Sequence, residues 1–273
     1  MGTTQRMTPG VPNQPQWGDL SKTITHISKT VEKEKELEKN QTISQYDAAK
    51  IYKQIEIRRA SHLKSAFTNL VRTGGGRSKI VSGKSNSIGK AGRKSASRIV
   101  GFFSSVGSQG LEKTLVDIGF GKLAGKTFQE VIDFLLVYCC ESNEGMDEVA
   151  ANKASCEVMN ELAISANNDL DKFEDIVKNM VDDIGLSDML CRFWGLYIFE
   201  HLSQRFEEKI EQQKGAENSK ETFRIIKEDI LGQVKVLNTQ RPVSKIDWKG
   251  ASGKNEIEKI FDSVIKIICD EKD

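Results

Sequence analysis

Proline is scarce in this chain of 273 residues: there are four, and three of them, Pro9, Pro12 and Pro15, precede residue 16. Proline locks φ and removes a backbone donor, so its near absence from the body leaves helices uninterrupted there. Long hydrophobic runs are missing too. The longest wholly apolar stretch is residues 134–140, far below the roughly 20 residues a membrane-spanning helix needs. No apolar signal core opens the sequence, which predicts a cytoplasmic protein without a membrane segment. Cysteine is sparse. Cys139, Cys140, Cys156, Cys191 and Cys269 form no CxxC pair, so free thiols are expected rather than a disulfide framework or zinc site. The three histidines, His26, His62 and His201, stand in no metal-ligand spacing.

The most informative absence is of acid. Residues 57–111 contain no Asp or Glu but eleven basic residues: Arg58, Arg59, Lys64, Arg72, Arg77, Lys79, Lys84, Lys90, Arg93, Lys94 and Arg98. The net charge of the whole chain is only +1, because the other residues hold 29 Lys and Arg against 39 Asp and Glu. Such a block must meet nucleic acid, an acidic partner or the protein's own acidic remainder. Reversal of Arg93, Lys94 and Arg98 to Glu is expected to weaken association without unfolding the chain, if these charges are exposed.

Helical periodicity dominates what is present. Residues 1–18 read as a flexible Gly/Pro tail whose one large apolar side chain, Trp17, is an anchor or the first contact with the domain. N-terminal helices are predicted within 19–72. Asp19 or Ser21 offers a first cap, the run at 32–39 alternates Glu and Lys in a solvated helix, and a second amphipathic segment ends at Gly74-Gly75-Gly76. Residues 73–90 read as a basic Gly/Ser-rich loop. A helical domain is expected over 91–273. Within it Thr127 and Glu130 have the spacing of a capping box. The residues around Val234 and Val236 carry a weak strand signal. The fold class expected is all-α.

Catalytic patterns are thin. Ser82-Gly83-Lys84-Ser85 resembles the end of a phosphate-binding loop, but Ser78 occupies the position of its first glycine and no strand leads into it. Glu144, Asp147 and Glu148 follow a glycine turn and fit a helix N-terminus better than an acid pair. Phe193, Trp194 and Tyr197 fit a packed helix face. Neither a nucleophile–base arrangement nor a metal set emerges, so no enzyme activity and no cofactor are expected. Removal of Met1 would expose Gly2, whose α-amine, with a reference pKa of about 7.7–8.0, is partly nucleophilic near neutrality.

Three stretches together resemble the bacterial QatB family. The first is Met1-Gly2-Thr3-Thr4, leading to Pro15-Gln16-Trp17; members tend to begin Gly-Thr-Ser and reach a Pro-Ser-Trp-like element, and Gln5 to Met7 depart from them. The second is Arg72-Thr-Gly-Gly-Gly-Arg-Ser together with Gly89-Lys-Ala-Gly-Arg-Lys-Ser-Ala-Ser-Arg-Ile-Val-Gly-Phe-Phe103, similar to the family's basic glycine-rich stretch. The third runs from Leu123 to Glu148, where Cys140-Glu-Ser-Asn-Glu-Gly145-Met-Asp-Glu148 stands for a Cys-Pro-x-Gly-Gly-x-x-Asp-Glu element. The resemblance covers residues 1–17 and 58–200. It implies a non-enzymatic subunit of the four-gene Qat anti-phage defence system, beside an ATPase, a QueC-like enzyme and a TatD-like nuclease. QueC relatives activate a 7-deazaguanine carboxylate with ATP. The resemblance implies that Gly2 accepts this acyl group while the helical domain docks the enzyme. The alternative is a nucleic-acid-binding adaptor. Either partner would meet Arg58, Arg59, Arg72, Arg77, Lys79, Lys84, Lys90, Arg93, Lys94 and Arg98.

Overall fold

The computed structural model describes residues 15–39, 43–140, 145–182, 185–240, 248 and 250–269. Eleven helices and no strand occur among these residues, which agrees with the all-α expectation. Gly2 and most of the predicted tail, through residue 14, lie outside the described residues.

Helices α1 (Pro15–Lys39) and α2 (Gln45–Thr73) form an antiparallel hairpin. Arg59 reaches Glu34 and Asn69 reaches Thr23, so partner numbers fall on one helix as they rise on the other. The first helix begins earlier than the caps at Asp19 or Ser21 predicted, and proline is tolerated in a first turn where no intrahelical donor is needed. Ser44 caps α2 by accepting from the Asp47 amide at 3.1 Å. The glycine triplet ends this helix, and Gly75 and Gly76 take φ of +83° and +96°, which favour glycine.

The segment 73–90 is not wholly irregular. Helix α3 (Arg77–Val81) sits inside it, with Ile80 buried. Ile80 and Ile88 both enter the core and Val81 packs against it, which orders a stretch whose composition reads as loop. Helices α4 (Lys90–Gln109), α5 (Leu111–Asp117), α6 (Phe128–Cys139), α7 (Met146–Ser165) and α8 (Leu170–Asp182) follow. The Thr127–Glu130 capping box forms as expected at the start of α6.

Helix α9 (Gly185–Lys214) is the axis of the molecule. Every residue from 193 to 203 is buried, so this middle stretch of the helix is enclosed on all sides rather than on one stripe. The helices packed around it include α1, α4, α7, α8, α10 (Ala216–Gln240) and α11 (Ala251–Cys269). Val234 and Val236 both lie in α10; Val234 is buried against Gly195 of α9, where packing overrides strand preference, and Val236 is exposed. Phe193, Trp194 and Tyr197 are fully buried, and Trp194 stacks on Phe261 of α11 with ring centroids 3.8 Å apart.

Leu20, Ile24 and Ile27 of α1 and Phe67 and Leu70 of α2 share one continuous core with α4 and α6 to α11. The Glu/Lys run at 32–39 also turns inward for some contacts. Glu32 meets Lys214 at 2.9 Å, Glu34 meets Arg59, and Lys35 donates to the Glu217 carbonyl at 3.2 Å.

Candidate functional site

The basic segment divides into inward and outward members. Arg59 pairs with Glu34 and also donates to Thr30 Oγ1 at 3.1 Å. Arg77 pairs with Asp262 of α11 at 3.0 Å. Arg93 donates to the Ser82 carbonyl and pairs with Glu258 of α11. Arg98 donates to the Cys140 carbonyl at 2.6 Å, which satisfies a backbone oxygen just past the end of α6. The acidic remainder of the chain therefore answers part of the basic block. Of Arg93, Lys94 and Arg98, expected from the sequence to serve association if exposed, Lys94 is exposed, whereas Arg93 and Arg98 are half-buried and make these bonds within the fold. Arg58, Arg72, Lys79, Lys84, Lys90 and Lys94 are exposed.

Ser82-Gly83-Lys84-Ser85 lies in the turn after α3, and Arg93 bonds back to it. The loop next reaches Gly89, whose φ of +108° and close approach to the Ile80 carbonyl exclude any side chain; an added Cβ would lie 2.2 Å from that oxygen. Gly92 is equally constrained, because its Cβ would meet Trp194 at 2.7 Å and Tyr197 at 2.9 Å. These two glycines let the start of α4 press against α9.

A buried polar network lies at this junction. The Asp147 carboxylate, from the first turn of α7, accepts from the Ala91 amide at 2.8 Å, the Gly89 amide at 3.2 Å and the Tyr197 hydroxyl. Its Oδ1 also lies 3.1 Å from His201 Nε2, while His201 Nδ1 lies 3.2 Å from the Arg205 guanidinium. Arginine can only donate, so Nδ1 accepts and the Nε2 proton faces Asp147. Beyond Arg205 stands Trp17, with the guanidinium carbon 4.3 Å from the ring centroid. A continuous chain of contacts thus joins the root of the N-terminal segment to the start of α4.

Burial pushes the Asp147 carboxyl up, but His201, the Ala91 amide and the Tyr197 hydroxyl outweigh it and hold it at about 2. Burial drives His201 down to about 4 against the pull of Asp147. Burial and Asp147 raise the Tyr197 phenol, and burial lowers Arg205 to about 10. At neutral pH the network holds a carboxylate, a neutral imidazole, a phenol and a guanidinium. The anion lies at the positive end of α4, where exposed amides and helix dipole both favour it. Both Tyr197 and His201 are fully buried, so this geometry fastens helices rather than exposing a reacting group.

Sequence reasoning placed Asp147 as a dipole partner of its own helix and missed its bonds to α4, Tyr197 and His201. The positions are far apart in sequence, and no local spacing marks them. The histidine pair His26 and His62 was also missed; their rings lie 5.1 Å apart across the α1–α2 hairpin. No group of three or more metal-ligand side chains is assembled among the described residues, and none of their helices is long and apolar enough to cross a membrane.

Residues 82–268 match a family model described as QatB, Qat anti-phage system associated protein. The match extends past residue 200, where the resemblance read from the sequence ends, and leaves out α1, α2 and α3 together with the stretches at 1–17 and 72–78 that also carried that resemblance. No curated protein and no solved structure matches the chain.

Proposed function

Since the chain belongs to the QatB family of Qat anti-phage system associated proteins, we propose that it serves that system as a docking subunit and modification substrate, without catalysis of its own. The helical body would hold the QueC-like enzyme, and Gly2, once freed of Met1, would accept the activated 7-deazaguanine acyl group. In that step the α-amine attacks the adenylated carboxylate, an amide forms, AMP leaves and a proton passes to solvent.

The observation that supports this reading most directly is the seating of Trp17 on Arg205. It fixes the root of the N-terminal segment against α9, inside the family-matched body. From Gly2 to Pro15 is thirteen residues, which span at most about 45 Å when fully extended. An enzyme that receives Gly2 must therefore dock within that radius of Pro15. Glycine suits the role because it has no side chain to obstruct a narrow entrance. The absence of catalysis fits the buried network, whose titratable groups are engaged in holding α4, α7 and α9 together.

Intact-mass measurement of the N-terminal peptide tests the reading. The protein purified with its QueC-like partner, ATP and the deazaguanine carboxylate should carry the added acyl mass at Gly2. It should lack it when Gly2→Trp is substituted, although the partner still binds. An unmodified wild-type terminus beside a demonstrably active partner overturns the acceptor role.

A second reading keeps the outward cations in view. Arg72, Lys79, Lys84 and Lys90 are exposed on the α2–α4 segment and suit phosphate contact in a nucleic-acid adaptor. Phosphate contact weakens steeply with salt, whereas apolar docking does not, so a salt titration of each complex separates the two.

A further inference from the structure

The two sides of the α1–α2 hairpin differ in charge. One faces α10 and is lined by six acids, Glu34, Glu38, Glu56, Glu221, Glu228 and Asp229, against three cations, Lys35, Arg59 and Arg224. Its ion pairs, Arg59–Glu34 and Arg224 with Glu221 and Glu228, answer much of that charge internally. The other side is an open groove of about 550 Å³ with the opposite character. Lys29, Lys33 and Arg58 line it against a single acid, Glu36.

The groove is also graded along its length. At the end toward the body stand His26, His62, Lys29 and Arg58; toward the hairpin tip lie Leu37, Ile43, Ile51 and Ile55. From His26 to Leu37 is eleven helical steps, about 16 Å. Leu37 and Ile55 form a largely buried floor, and Ile51 is 37% exposed above it. Burial, then His26 and Arg58, hold His62 below its ordinary value. Such crowding of like charge is relieved when an anion enters.

We propose that this groove binds a phosphate monoester with an apolar body, its phosphate set among His26, Lys29, Arg58 and His62 and its body laid along Ile51, Ile55 and Leu37. A phosphate monoester carries up to two charges near neutrality and can engage several cations at once, which a carboxylate does less well. The volume lies within the roughly 300–1,000 Å³ of small-molecule sites. The site falls outside the residues that the QatB family model matches, so it stands or falls apart from the proposed docking role.

The chain has three histidines, so imidazole proton NMR reads the site directly. Titration with octyl phosphate, kept monomeric, should move the His26 and His62 signals saturably and leave buried His201 in place. Inorganic phosphate and octanol should each bind at least about tenfold more weakly, since each lacks one half of the ligand. Arg58→Glu and Ile51→Glu, both at exposed positions, should each weaken octyl phosphate by at least about tenfold while the His201 signal stays put. AMP in a parallel titration separates a nucleotide from a lipid-like ester, and tighter binding by either one supports the site. The proposal is overturned if neither monoester gives saturable shifts, if inorganic phosphate binds as tightly as the esters, or if Arg58→Glu binds undiminished.

Discussion

His201 and the His26–His62 pair place the same side chain in opposite surroundings. His201 is fully buried between a carboxylate and a guanidinium, and each ring nitrogen has one partner. His26 and His62 lie ring against ring at one end of an open groove lined by cations. Burial lowers the pKa in both regions, yet the consequences differ. In the core the neutral imidazole is part of the fold, and its protonation acts against folding. In the groove, protonation of His62 adds to the net positive charge of Lys29, Lys33 and Arg58 over Glu36, which a ligand can use. Titratable clusters in this protein are therefore sorted by access rather than by residue type.

Removal of the core anion should have the largest effect. Asp147→Ala strips the Ala91 and Gly89 amides, the Tyr197 hydroxyl and His201 of a shared acceptor. It also leaves the positive charge of Arg205 without the Asp147 carboxylate. Loss of one partner from a buried charged network costs about 3–5 kcal/mol, so the urea midpoint should fall steeply or the protein should fail to fold. Asp147→Asn keeps one oxygen acceptor and should cost less. Equal, small losses for both would show that the network is incidental to stability.

Acid should weaken the core next. The pKa of His201 falls from an ordinary 6.5 to about 4, so folding prefers the unprotonated ring. That contribution is complete above about pH 6.5 and is lost as pH falls toward 4. Asp147 sits at about 2 instead of 3.8; its contribution is present above about pH 4 and disappears as pH falls through 2. Together they predict stability that declines from about pH 6.5 downward, by up to about 3 kcal/mol from His201. His201→Gln should flatten the decline between pH 6.5 and 4. An unchanged slope would place the acid sensitivity elsewhere.

Much of the fold is legible in the sequence because it is written locally. The capping box at Thr127, the glycine stop after Thr73 and the apolar periodicity of α1, α2 and α6 are short-range signals, and each appears in the structure. Helix α3 and the course of α10 through Val234 are not local: Ile80 and Val234 are settled by burial against other helices. The candidate sites are harder still. Asp147 lies 56 residues from Ala91 and 54 from His201, separations at which a single sequence carries no visible pattern. The composition of the basic segment was plain, but its division into bonded and exposed members depends on acids in α1 and α11.

That division supplies the smallest and most selective test. Arg93→Glu places a carboxylate beside Glu258 and removes the bond to the Ser82 carbonyl. A charged hydrogen bond of this kind contributes about 1.5–3 kcal/mol, and the loss should appear in the melting midpoint with a new sensitivity to salt. Lys84→Glu and Lys90→Glu, at exposed positions, should leave the midpoint where it is, because surface charges contribute little to folding. Their effect should appear in association instead, as a slower on-rate or a shallower salt dependence toward an acidic partner or nucleic acid. If Arg93→Glu and Lys84→Glu shift stability equally, the division is wrong and the whole segment behaves as one solvated surface. If Lys84→Glu and Lys90→Glu change neither stability nor any association, the outward cations serve only to keep the surface charged.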